Sequence, residues 1–237
     1  MIPIKILNQP TNVTCGPTSL HAIYQYYGDN ISLDQVVDEV VYVDGGGTLG
    51  VLLATHALKR GYKAVIYTYN INVFDPTWFA VPKGEISEHI IEKLKKQAKV
   101  KSSGKLSRAS ASYIEFIKLG GKIAFEDLTS SLLSKYFRKG LPILTGLSAT
   151  YLYQSAREVA PDDFTTRPDD VRGKPCGHFV VLCGYNEERD RVLVADPSPE
   201  HPEFNEQYYS VKVNRLINSI MLGILTYDAN FLIIEKG

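Results

Sequence analysis

Two apolar, β-rich runs in the last third of the chain, residues 178–185 (HFVVLCGY) and 191–196 (RVLVAD), are separated only by the polar stretch Asn186–Asp190. This is the pattern of a hairpin. It brings the first residue of one strand and the last of the other to the same edge of a sheet, and those residues are His178 and Asp196. Residues 141–147, 207–213 and 231–235 read as further strands. The front of the chain differs. From Cys15 to Tyr27, Leu20, Ile23, Tyr24 and Tyr27 recur at helical spacing, with Thr14 as N-cap, Pro17 in the first turn and Gly28 as the stop. A second helix begins at Ser32, where Ser32-Leu33-Asp34-Gln35 has the form of a capping box, and runs through Val36, Val37, Val40 and Val41. Gly45-Gly46-Gly47 interrupts, and a third helix from Thr48 to Arg60 closes at Gly61. Helices first and antiparallel strands last predict an α+β fold, with N-terminal helices packed on a C-terminal antiparallel sheet, not alternating βαβ units.

The middle has its own character. Lys63 to Tyr69 reads as a strand, residues 85–99 as an amphipathic, Lys-rich helix, 100–108 as a polar linker, and 109–119 as a helix ending at Gly120-Gly121. A helix near 128–138 leads into the strand at 141, and 154–175 reads as a long surface loop. The expectation is one domain over 237 residues, with a helical insertion around 75–120. The 26 basic and 26 acidic residues cancel, so charge gives no support to nucleic-acid binding. No run resembles a signal peptide or a membrane span. The three cysteines, Cys15, Cys176 and Cys183, form no disulfide framework, which points to a reducing, cytoplasmic setting with thiols available for chemistry.

Cys15 opens the first helix. The positive end of the helix dipole and the unpaired N–H groups there favour a thiolate, the nucleophilic form of the side chain. Taken alone, such a cysteine is more often a packed residue. Gln9, six positions earlier, offers an amide donor for the oxyanion of a tetrahedral acyl intermediate, although in isolation it is an ordinary loop glutamine. His178 would be the base, and Asp196 is placed to accept from one of its ring nitrogens. Nothing in the spacing brings Cys15 to them.

Gln9 with Cys15-Gly16-Pro17-Thr18-Ser19-Leu20, Gly177-His178-Phe179-Val180-Val181-Leu182 and Val194-Ala195-Asp196-Pro197 together resemble the bacteriocin-processing cysteine peptidases of the papain-like superfamily. Members of that family remove double-glycine leader peptides and often form the N-terminal domain of an exporter. The resemblance covers roughly residues 3–60 and 140–198, and Gly47-Thr48-Leu49-Gly50 adds a less specific match. It implies a papain-like fold with Cys15 as nucleophile, His178 as general base and acid, Asp196 as the orienting residue and Gln9 as oxyanion donor. A peptide or amide substrate is expected, with no cofactor and no metal. The rewritten middle, the long loop before His178 and the lack of transporter segments separate this chain from the short exporter-linked domain, so a leader substrate is not implied.

Other features give weaker readings. Cys176, His178 and Cys183 match no common zinc spacing, and Cys183 reads as a core residue. His21, His56, His89 and His201 read as solvated or packing residues. Lys93, Lys95, Lys96 and Lys99 read as a solvated helix face. The triple glycine is not followed by Lys-Ser/Thr, which argues against a phosphate loop. Trp78 reads as core or lid packing. Two alternatives to hydrolysis stay open on sequence: transfer of the acyl group to an amine or thiol, and a silent binding module on the same fold.

Overall fold

The computed structural model describes residues 1–43, 46–101, 103–159, 166–199, 201, 203–204 and 206–237. Of the features above, Gly45 and residues 160–165 of the long loop lie outside the described residues. The chain begins with an extended lead-in, then α1 (Cys15–Tyr26), α2 (Leu33–Glu39), α3 (Gly50–Lys59) and β1 (Lys63–Thr68). A 3-10 turn (Pro76–Phe79) precedes α4 (Ile86–Val100), α5 (Gly104–Lys118), β2 (Lys122–Ala124) and α6 (Ser130–Phe137). Then come β3 (Ile143–Ser148), α7 (Ala149–Leu152), a small ribbon of β4 (Glu158–Val159) and β5 (Arg167–Pro168), and the hairpin β6 (Gly177–Asn186) and β7 (Arg191–Ala195). The chain closes with β8 (Tyr208–Lys212), α8 (Val213–Leu222) and β9 (Asn230–Glu235).

Seven strands form one sheet in the order β2-β1-β9-β3-β6-β7-β8, antiparallel except for the parallel edge pair β1–β2. The α+β expectation is borne out, with one refinement: β1 and β2 from the first half of the chain complete the sheet. Strand alternation divides the core between the two faces. Phe179, Val181 and Cys183 of β6 face the side covered by α1 to α5, and Val180 and Leu182 face the side covered by α6 and α8. Because both faces are covered, β6 reads as a nearly continuous apolar run.

Local signals worked where they were self-contained. Ser32 Oγ accepts from Gln35 N at 3.1 Å, as an N-cap should. The reciprocal half of the box is absent, because Gln35 Nε2 reaches Glu39 Oε1 at 2.6 Å instead. Gly28 and Gly61, at φ +74° and +87°, end α1 and α3 in a left-handed conformation that glycine adopts without strain.

Three expectations change. The linker at 100–108 is shorter than its polarity implies, since α5 starts at Gly104 and buries only Leu106 in its first turns. The remainder of its apolar stripe (Ala109, Tyr113, Phe116 and Ile117) lies further on. The strand at 207–213 stops at Lys212, and α8 follows, packing Val213, Leu216 and Ile220 onto the sheet. The base of the 154–175 loop is ordered: Glu158 and Lys174 exchange backbone hydrogen bonds at 3.0 and 2.8 Å, tying it to the segment that enters β6. Trp78 packs edge-on to Phe74.

Candidate active site

The loop leading to Cys15 is closed by two threonines. Thr14 Oγ1 donates to Thr11 O at 2.9 Å and accepts from Thr11 N at 3.0 Å. Thr14 therefore holds the N-cap position of α1, but its hydroxyl serves the preceding loop rather than the helix. Cys15 follows as the first helical residue, partly exposed, and its N–H is among those that helix geometry leaves without an intrahelical acceptor.

The step the sequence could not supply is the meeting of α1 with β6. Gly16 allows it. A Cβ on Gly16 would stand 2.7 Å from Thr48 Cγ2 and 3.3 Å from Phe179 Cδ2. One turn later Ser19 Oγ donates to Phe179 O at 3.1 Å. The start of α1 is thereby docked on the residue that follows His178. Cys15 is thus brought within electrostatic reach of His178.

His178 Nε2 is 2.8 Å from Asp196 Oδ1, as the hairpin argument requires. This leaves Nδ1 as the nitrogen not engaged by the carboxylate. Burial opposes a charge on the imidazole, but the Asp196 carboxylate and Cys15 outweigh it and hold His178 well above the ordinary imidazole range. Asp196 is fully buried. Its Oδ1 also accepts from Ser198 N at 2.9 Å, and its Oδ2 accepts from Tyr153 Oη and Tyr209 Oη, each at 2.7 Å. Burial would raise this carboxyl, but the His178 charge and these donors hold it below the usual carboxylate range. No sequence signal marked the two tyrosines, which reach Asp196 from 43 and 13 residues away. His201, read from the sequence as a solvated or packing residue, stacks on Tyr153 and is buried beside Tyr209.

Gln9 comes alongside through its backbone, donating N–H to Pro197 O at 2.8 Å, next to Asp196. Its Nε2 donates to Thr11 O at 3.0 Å, and its Oε1 is buried without a partner. An amide nitrogen carries two hydrogens, so this bond uses one of the two donors of Nε2.

The other cysteines are of a different kind. Burial pushes the Cys176 and Cys183 thiols up to about 12, with the nearby Glu158 charge adding to the shift at Cys176. His56 bridges Tyr24 Oη (2.7 Å) and Glu39 Oε2 (3.0 Å). Among the described residues no group of three or more His, Cys, Asp or Glu side chains could hold a metal ion. No helix among them is long and apolar enough to cross a membrane.

The fold matches the expectation that the sequence resemblance carried. A solved structure from Bacillus anthracis, described as a C39-like peptidase, is 15% identical over 100% of this chain and 96% of its own, with a TM-score of 0.50. At that identity the likeness speaks to fold alone, and it supports the papain-like assignment. No curated protein sequence matches this one. The model of the Peptidase_C39 like family matches residues 1–219, and on that span the chain belongs to this family.

Proposed function

We propose that the protein is a thiol-dependent hydrolase that cleaves a peptide or amide bond through Cys15, His178 and Asp196. The observation that carries this reading is the position of His178, held between a buried carboxylate and the thiol that opens α1. Cys15 Sγ attacks the carbonyl carbon, and the oxyanion is received by the Cys15 N–H and Gln9 Nε2. The imidazolium donates its proton to the leaving amine as the C–N bond breaks, giving a thioester and free amine. His178 then takes a proton from water as the water attacks the thioester, the C–S bond breaks, and the carboxylic acid leaves with the Cys15 thiolate and the His178 imidazolium restored. Asp196 stays ionised throughout and holds the Nε2–H, which fixes the ring orientation. The chemistry needs Cys15 reduced. Cys15, Cys176 and Cys183 are all unpaired, which supports placing the protein in a reducing, cytoplasmic compartment.

The test compares thiols within one molecule. Iodoacetamide at pH 7.5 should label Cys15 at least about a hundred times faster than Cys183, and Cys15→Ala should abolish cleavage of a peptide library read by mass spectrometry. Equal, slow labelling of Cys15 and Cys183 would overturn the reading.

A further inference from the structure

A cavity of about 460 Å³ opens between the segment that enters α3 and the segment that enters β6. Two of its lining residues, Gly46 and Thr226, pack on Val13 and Gly177, each close in sequence to Cys15 or His178. On one side Val43 follows Tyr42, which is within electrostatic reach of Cys15. Gly46 on the same side is pressed against Val13, where a Cβ would lie 2.8 Å from Val13 Cγ1. On the other side Pro175 precedes Cys176, also within electrostatic reach of Cys15. Thr226 packs on Gly177, where a Cβ would meet Thr226 Oγ1 at 2.6 Å. A cavity so placed is where substrate flanking the scissile bond would lie.

Its chemistry is uneven. Val43, Leu49, Pro175, Leu225 and Tyr227 give an apolar lining. Lys105 from α5 and Lys174 from the loop before β6 add two exposed cations, and no carboxylate lines it among the described residues. The whole chain is neutral, with 26 basic and 26 acidic residues, so the imbalance is local. Glu158, paired by its backbone with Lys174, is within electrostatic reach of the Cys176 thiol. Lys105 and Lys174 are exposed, free to meet a ligand without the cost of leaving a buried site.

The geometry points to a substrate subsite for an acidic side chain: the protein takes peptides with a glutamate or aspartate beside the scissile bond. The methylene body would contact the apolar lining, and the carboxylate would lie between Lys105 and Lys174. This inference rests on the hydrolase reading, naming the substrate class for the same site, but it can be tested apart from turnover.

The experiment measures binding to the Cys15→Ala protein by fluorescence anisotropy. The probes are fluorescein-tagged alanine hexapeptides carrying one glutamate, one glutamine or one lysine. The glutamate peptide should bind about tenfold more tightly than the other two, with the advantage shrinking as salt rises. In Cys15→Ala with Lys105→Glu and Lys174→Glu the order should invert in favour of the lysine peptide, a ratio that does not depend on the folded fraction. Equal binding of the three peptides, or a glutamate preference that survives charge reversal, would overturn the subsite. Failure of the iodoacetamide comparison would instead remove the hydrolase reading while leaving this binding result to stand or fall by itself.

Discussion

Tyr209 Oη donates to Asp196 Oδ2 at 2.7 Å, from the strand beside it, and shares that oxygen with Tyr153 Oη at the same distance. Asp196 is therefore a buried anion with donors on both oxygens. The tyrosines should act on it in two ways. Either Tyr→Phe change removes a hydrogen bond to a charged group, which should cost about 1.5–3 kcal/mol in urea denaturation. The double change should also raise the Asp196 pKa, so that Cys15 alkylation fails at a higher pH on the acid side than in the parent protein. A uniform loss of stability with an unmoved pH profile would reduce the tyrosines to packing residues.

The His178–Asp196 pair makes stability depend on pH in both directions. His178 is raised in the folded protein, so its contribution is fully present below the ordinary imidazole range and is lost as pH rises through the folded value. Asp196 is lowered, so its contribution is present above the ordinary carboxylate range and is lost as pH falls through the folded value. The pair should thus stabilise most around pH 5 to about 6.5. Asp196→Asn should cost about 3–5 kcal/mol near pH 6, with the deficit shrinking steadily as pH is raised above 7. Denaturant titrations of both proteins at pH 6, 8 and 9.5 measure this, and a deficit independent of pH would contradict it.

Gly16 lets the start of α1 lie close against Thr48 and Phe179. In Gly16→Ala the new methyl would collide with Thr48 Cγ2, 2.7 Å away, and press on Phe179 Cδ2. The start of α1 should move off β6, at a cost of about 1–3 kcal/mol and with slower alkylation of Cys15. Thr48→Ser deletes the colliding methyl but keeps the hydroxyl that donates to Val41 O at 2.8 Å. Adding it to Gly16→Ala should restore much of the alkylation rate, and a double variant no faster than Gly16→Ala would argue against this contact as the spacer.

What could be read from the sequence was what short-range chemistry decides. Gly28 and Gly61 ended helices, Ser32 capped one, and the turn between β6 and β7 was enough to pair His178 with Asp196. The polar opening of α5 hid the start of the helix, because one apolar residue per turn carries no period. The alternation of β8 ran into Val213 and masked the start of α8, and β2 is too short to show a pattern. The meeting of Cys15 with His178 depends on Gly16 and Ser19 docking on Phe179, across 160 residues in the case of Ser19. Only the family resemblance anticipated it. The tyrosines on Asp196 had no such guide, since a tyrosine that packs and a tyrosine that donates look alike in sequence.

Asp228 is a second buried carboxyl, separate from the His178–Asp196 pair. Its Oδ1 accepts from Gly50 N at 2.9 Å, capping α3 from the far end of the chain, and Asn230 Nδ2 adds a longer contact at 3.4 Å. Burial pushes the Asp228 carboxyl up to about 7, only partly offset by these two donors. The folded value is thus above the unfolded one, so its stabilising contribution is complete below the ordinary carboxylate range and is lost as pH rises toward 7. Between those limits the folded state holds a proton that the unfolded chain has released, and stability should fall by about 1.4 kcal/mol per pH unit from this group alone. Asp228→Asn keeps an oxygen for Gly50 N and removes the titration. The stability of the parent relative to the variant should therefore decline from pH 4.5 to pH 7 and level off above it, as measured by urea denaturation at matched ionic strength. A parallel pair of curves would mean that Asp228 carries its charge in the folded protein at the cost of burial.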